Sequence, residues 1–228
     1  MRTFLPLALG ILAMALGATR PADAAQDGGA VFAVTYFEAA VTDVAKAAAL
    51  TKQFGMASRN EPGNSGFEAF EEIGRPSRFA IFEGWHDKTA SDAHNTAAAA
   101  YRDKLHTLLV GPLEVRNFTG FSVAGPREHV GGGAVYVVTH VDVFPAGKDQ
   151  AAALVAALAE AGRKMPGNFW FDVLQVDGHA NHFTLVEGWR DRASFDASVM
   201  AASTREFRQK LTPLEGALYD ERLYHALR

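Results

Sequence analysis

Val31-Phe32-Ala33-Val34-Thr35-Tyr36 (VFAVTY) recurs as Val135-Tyr136-Val137-Val138-Thr139-His140 (VYVVTH), and this pair of alternating apolar runs decides the fold. Two further pairs keep the same register. Pro62-Gly63-Asn64 returns as Pro166-Gly167-Asn168, and Glu83-Gly84-Trp85 as Glu187-Gly188-Trp189, always 104 residues later (135 − 31, 166 − 62, 187 − 83). Two copies are too few for a solenoid, which needs at least about three units to bury a continuous core, so the duplication reads as two related domains packed as a pair. One half can therefore work while the other serves as its structural partner.

Outward from that repeat, periodicity switches within each half in the order strand, helix, strand, strand, helix, strand, the β-α-β-β-α-β arrangement of a ferredoxin-like α+β sandwich. The first half is expected to carry strands near 31–37, 66–72, 78–85 and 114–122, with helices near 43–57 and 89–109. Thr42 is expected to cap the first helix and Gly55 to lie near its end. The second half is expected to carry strands near 135–143, 168–176, 182–189 and 215–223, with helices near 148–163 and 192–211. Residues 124–134 (AGPREHVGGGA) break all periodicity and read as a Gly-rich linker between domains at 26–123 and 135–228. A four-stranded sheet with helices on one side needs cover for its other face. Two such sheets in one chain can cover each other, which predicts an intramolecular, pseudo-dimeric α/β barrel.

The amino terminus has a different character. A positive start at Arg2, an apolar run over residues 4–16 and an Ala-x-Ala site ending at Ala24 read as a cleaved secretory signal peptide over residues 1–24. The alternative, an uncleaved anchor, falls short of the ~20 apolar residues that a spanning helix needs. A secreted, periplasmic protein is the expectation. The chain has no cysteine, so packing must supply its stability without disulfides. Its formal charge of −4 becomes about −5 without Arg2, Arg20 and Asp23, and no basic block is present, which argues against nucleic acid and membrane surfaces as partners.

The most specific local pattern is Phe79, Ile81, Glu83 and Trp85, repeated as Phe183, Leu185, Glu187 and Trp189. Alternation on a strand puts each glutamate on one face with apolar neighbours, where a carboxylate is either partnered or has a raised pKa. It is either a general acid or base in an apolar pocket or a sheet carboxylate satisfied by a donor. In the second helix of the first half, His94, Ala98, Tyr101, Leu105 and Leu108 form a helical stripe that turns the histidine inward. There it is either a base or a satisfied core residue, and Ser198 replaces it in the second half. Asn64 and Asn168 end their turns, where a side-chain amide serves the turn itself or holds a substrate oxygen. Tyr36 and His140 occupy equivalent strand positions, with packing and binding both open. His179 and His182 flank a short hairpin without a third ligand, so no metal site is expected. Phosphate-loop, dinucleotide, serine-elbow and HExxH patterns are absent from the sequence.

The order of elements, with Pro62-Gly63-Asn64, Phe79 through Trp85 and Asp92-Ala93-His94, resembles the antibiotic biosynthesis monooxygenase family of the dimeric α/β-barrel superfamily. The resemblance covers both halves, about 190 residues. It implies oxygenation of a small aromatic, polyphenolic or quinol-like substrate by dioxygen, with no metal, haem or flavin cofactor. On that resemblance His94 is the proton acceptor, Asn64 the oxygen-holding amide and Glu83 an orienting carboxylate. Trp85, Phe67 and Phe79, with Tyr36 and Tyr101, are the substrate-binding wall. The second half carries Ser198 and two extra residues before Lys210-Leu211, so the working site is expected in the first half. A monomer or weak homo-oligomer is expected. The competing readings are a non-catalytic periplasmic binding or stress protein for an apolar ligand and, more remotely, haem binding through His94.

Overall fold

The computed structural model describes residues 29–124 and 130–227, so the expected leader over 1–24 and the central part of the linker lie outside the described residues. The first half runs β1 (Val31–Glu38), α1 (Val44–Ser58), β2 (Asn64–Glu72), β3 (Arg75–Trp85), α2 (Lys88–Ala97), α3 (Ala99–His106) and β4 (Glu114–Ser122). The second runs β5 (Val135–Asp142), α4 (Lys148–Arg163), β6 (Asn168–Val176), β7 (His182–Trp189), α5 (Arg192–Val199), α6 (Ala202–Leu211) and β8 (Asp220–Ala226). The eight strands close into one barrel in the order β1-β3-β2-β8-β5-β7-β6-β4, and β4 pairs back onto β1. Every pairing is antiparallel, and the halves join through β2–β8 and β4–β6. The α+β fold is thus two tandem ferredoxin-like units that cover each other's open face.

Closure explains the burial pattern. On β3 the whole run from Phe79 to Trp85 is buried, because helices cover one face and the barrel lumen takes the other. Phe79 and Ile81 join Phe37, Phe67 and Leu105 under the helices, while Phe82 enters the lumen with Phe32, Val34, Tyr36, Phe70, Phe118, Tyr136 and Trp170. An aromatic lumen of this kind buries ring area on the order of 150–250 Å² per side chain and ties the two halves into one core.

The repeated Pro-Gly-Asn turn has a packing cause. Gly63 has φ +79°, and a Cβ there would sit 2.5 Å from the Ala90 Cβ on α2. Gly167 (φ +85°) is pressed in the same way against Ser194 on α5. Each turn also accepts the backbone N–H that follows its tryptophan strand, His86 to Gly63 O and Arg190 to Gly167 O, both at 2.8 Å. Glycine is required because a side chain in this left-handed conformation would meet the helix.

Three expectations are corrected. Thr42 does not cap α1: it lies in a 3-10 turn over Val41–Asp43, and its hydroxyl bonds Asp43 instead. The second helix of each half is two helices, broken at Ala98 and at Met200-Ala201, where Ala201 is extended (ψ 148°). Ala98 stays near-helical (φ −73°, ψ −9°), so the inward stripe of His94, Ala98 and Leu105 survives the break. The last strand begins at Asp220 rather than 215, because a Pro213-containing 3-10 turn and the close approach of Gly216 to the Val143 backbone occupy the intervening residues.

Candidate functional site

The helix side of the first half holds a closed charge cluster. Asp87 caps α2 by accepting from the Ala90 N–H at 2.8 Å, which fixes the helix start about two turns before His94. The His94 ring lies 2.9 Å from Glu61 Oε2 through Nδ1 and 3.0 Å from Glu83 Oε1 through Nε2, and it stacks on Trp85 at 4.4 Å between centroids. Burial by itself lowers the pKa of His94, but the hydrogen bonds and charges of Glu83, then Glu61, outweigh it and raise the pKa. Both ring nitrogens lie within hydrogen-bond distance of a carboxylate oxygen, an arrangement that favours the imidazolium with one N–H donated to each.

The expected wall surrounds this cluster in part. Phe54 stacks on Tyr101 at 3.8 Å, meets Phe67 edge-on at 5.4 Å and lies 5.3 Å from His94. The Tyr101 hydroxyl bonds Thr51 Oγ1 at 3.1 Å, and burial pushes its pKa up to about 12. Asn64 lies opposite Trp85 in the β2–β3 register, with its amide directed at Gly66 O, 3.5 Å away across the local bulge. His94, Glu83, Trp85, Phe67 and Tyr101 therefore come together, and Asn64 borders them. Glu61 was missed by the sequence reading. Its signal was available: position 165, 104 residues on, is Met, so the second half lacks the Glu61 counterpart together with the histidine.

That paired loss changes the electrostatics of the second half. Among the described residues Glu187, equivalent to Glu83, keeps only the Trp189 indole N–H at 3.0 Å, and Ser198 donates to Phe195 O instead. With no cation paired to it among the described residues, burial drives the Glu187 pKa from 4.5 to about 8. The cleft left between Met165, Ser198 and Glu187 has about 20 Å³, room for roughly one water.

Tyr36 faces the other way, into the barrel, where its hydroxyl lies 3.0 Å from His140 Nε2. These residues are sequence equivalents, and equivalent side chains can touch only on the pseudo-twofold axis, so the axis passes between them. Arg116 and Arg222 are also related, now 106 residues apart because of the two-residue insertion. Each guanidinium lies 5.7 Å from the Tyr36 ring centroid. Each also binds a carboxylate two residues before it, Glu114 and Asp220, at 2.6 Å. Burial, then the charge of Arg116, lowers the His140 pKa to about 3, so the ring is neutral. Burial likewise holds the Tyr36 pKa well above its ordinary value. His140 Nδ1 lies 2.9 Å from Thr184 Oγ1, completing a buried chain of three polar groups.

At this end of the barrel is a cavity of about 250 Å³ lined by Tyr36, Tyr224, Arg222, Pro112 and the Phe37–Phe79 pair, whose rings stack at 5.0 Å. Tyr36 and Phe79 of the expected wall thus meet here, whereas His94 lines neither this cavity nor the cleft of the second half.

The sequence model of the antibiotic biosynthesis monooxygenase family matches residues 30–103 and 134–210. No curated protein matches the chain. Among solved structures, a candidate monooxygenase from Fusobacterium nucleatum superimposes with a TM-score of 0.82 at 16% identity, over 89% of this chain and 94% of that one. A candidate monooxygenase from Lactobacillus acidophilus gives 0.74 at 13% identity over 88% and 95%. An anthrone oxidase-like protein gives 0.63 at 11% identity over 87% and 92%. At these identities the likeness is one of fold.

Proposed function

Because the chain belongs to the antibiotic biosynthesis monooxygenase family, we propose that it oxygenates a small electron-rich phenol or quinol-like compound without a bound cofactor, with the substrate seated at the barrel mouth. The observation that carries this reading is the cavity of about 250 Å³, which brings Phe37, Phe79, Tyr36 and Tyr224 together with Arg222, Arg78 and the carboxylates of Glu38, Glu72 and Glu114, with His140 bonded to Tyr36 behind its wall. Its volume is just below the ~300 Å³ at which drug-sized pockets begin, a size for one or two rings. The net reaction, a phenol plus dioxygen giving a quinone plus water, balances in atoms and electrons without an outside reductant. What the protein must supply is a place where the phenolate is favoured and the ring is kept from bulk water. Arg222, which lines the cavity while paired with Asp220, places a guanidinium beside Tyr36, the Tyr36 hydroxyl orients the substrate oxygen, and the stacked Phe37 and Phe79 flank the ring. The solved anthrone oxidase-like relative is named for a polycyclic substrate of related chemistry.

His94 has a different part in this reading: it locks the Pro-Gly-Asn turn, α2 and β3 together through Glu61 and Glu83. The test is oxygen uptake by the purified protein with a panel of phenols and hydroquinones, repeated with Tyr36→Phe and His94→Gln. Uptake that falls at least tenfold in Tyr36→Phe, with the fold intact, supports the barrel mouth. Uptake untouched by Tyr36→Phe but lost in a folded His94→Gln overturns the placement and returns the chemistry to the helix side. No uptake across the panel overturns the oxygenase reading.

A further inference from the structure

The chain from Tyr36 through His140 to Thr184 has an ambiguity that only a neutral imidazole between two hydroxyls allows. Each link joins a hydroxyl to a ring nitrogen, at 3.0 Å for Tyr36 and 2.9 Å for Thr184. A neutral imidazole carries one N–H and one lone pair, and its tautomer decides which way the links run. With the proton on Nδ1, the ring donates to Thr184 and accepts from Tyr36, which leaves the oxygen of Tyr36, a residue that lines the cavity, as an acceptor. With the proton on Nε2, Thr184 donates to the ring and the ring donates to Tyr36, whose O–H is then free to donate. Both arrangements satisfy both ring nitrogens, and His140 and Thr184 are 5% and 0% exposed, so water does not compete with either.

Two surrounding features keep the choice between tautomers rather than between charge states. The Arg116 and Arg222 guanidiniums flank the pair and oppose a third positive charge, while Asp220 and Glu114 are already engaged by those arginines. The pair also lies on the pseudo-twofold axis, where each half contributes one partner, so the chain is internal to the barrel and not to either domain alone.

Resting on the barrel-mouth reading above, we propose that Tyr36, His140 and Thr184 form a reversible hydrogen-bond chain that lets the same cavity take a phenol, whose O–H it accepts, and the corresponding quinone, whose carbonyl oxygen it donates to. His140 and Thr184 are then positioning residues that act through Tyr36. The device suits a reaction whose reactant carries a hydroxyl and whose product carries a carbonyl at the same point. It also makes the quinone product a ligand that competes with the phenol.

The test separates recognition from turnover by using tetramethylhydroquinone and tetramethylquinone, whose fully methylated rings resist addition and ring oxygenation. Ring nitrogen-15 shifts of His140 in the full chain, assigned by their loss in His140→Gln, are recorded without oxygen in the presence of each probe. The expected result is the Nδ1–H tautomer with the hydroquinone and the Nε2–H tautomer with the quinone. Tyr36→Phe should uncouple the ring from the probe and weaken binding of both about two- to tenfold, the worth of one neutral hydrogen bond. Binding of both probes with one unchanged tautomer, or with an imidazolium, overturns the chain and leaves the site standing. No perturbation of His140 by either probe overturns both. A tautomer switch in a protein that consumes no oxygen upholds the recognition chain and overturns only the oxygenase reading.

Discussion

Replacing Glu187 by Gln should stabilise the protein at alkaline pH and leave it almost unchanged in acid. The native carboxyl has its pKa moved from 4.5 to about 8 by burial, against the Trp189 N–H that donates to it. Between those values the native state holds a proton that the unfolded chain has lost. The wild-type contribution is therefore fully present below about pH 4.5 and declines as pH rises to 8. A displacement of roughly 3.5 pH units at 1.36 kcal/mol each sets an upper limit of about 5 kcal/mol, a large part of a typical domain's stability. Glutamine matches the protonated acid in shape and still accepts from Trp189, but has no proton to lose. Urea unfolding of both proteins at pH 5, 6.5 and 8 gives the difference directly, and titrating groups that do not interact with Glu187 cancel in it, leaving Glu221 as the coupled neighbour. The gap should widen by about 3 to 4 kcal/mol from pH 5 to pH 8 in favour of the variant. A constant gap across that range, or a less stable variant at pH 8, would refute the account of Glu187 as a carboxyl stranded without a cation.

The His94 cluster predicts the opposite kind of loss. His94→Gln should cost about 3 to 5 kcal/mol at pH 6, because it strands the buried Glu83. That penalty should shrink as pH rises through the raised pKa of the native imidazole, since a histidine held as a cation contributes fully only below its unfolded pKa near 6.5; a penalty independent of pH would contradict the ion-pair assignment. Transplanting the missing partners, Met165→Glu with Ser198→His, should bring the Glu187 carboxyl back toward the ordinary carboxylate range, visible in its side-chain carbon-13 titration, and an unmoved titration would mean that the comparison between halves fails. Gly63→Ala should destabilise more than Gly74→Ala, measured by urea midpoint: both carry the strain of a positive φ, about 1 to 3 kcal/mol, but only at Gly63 would the added Cβ also press on Ala90. If the two glycines cost the same, helix contact contributes nothing at Gly63.

Much of the architecture was legible from one chain because the duplication wrote it twice. A strand pattern can be ambiguous alone, but Val31 through Tyr36 and Val135 through His140 constrain each other, and the apolar faces on both sides of β3 require cover on both sides. The errors fell where local turn chemistry competes with periodicity. The 3-10 turn at Val41–Asp43 delays α1, and the turn at Thr212–Leu214 delays β8. Neither leaves a periodic trace.

For the site, the inward direction of His94 and the placing of Glu83 on one face with Phe79, Ile81 and Trp85 followed from the 3.6- and 2-residue periods, which are local properties of the backbone. The sequence likewise determined that the two halves differ electrostatically, since Glu61 and His94 in one face Met165 and Ser198 in the other. Only the tertiary structure decided what those residues do. A pKa depends on desolvation and on charges a few ångströms away, and those neighbours come from different elements: Glu61 before β2, Glu83 on β3 and His94 on α2. Barrel closure likewise decided that Tyr36 meets His140, two residues 104 positions apart, and opens a cavity beside them. Distance in space, which sets every hydrogen bond and Coulomb energy here, is fixed by strand pairing between the halves and has no counterpart in the spacing of residues along the chain.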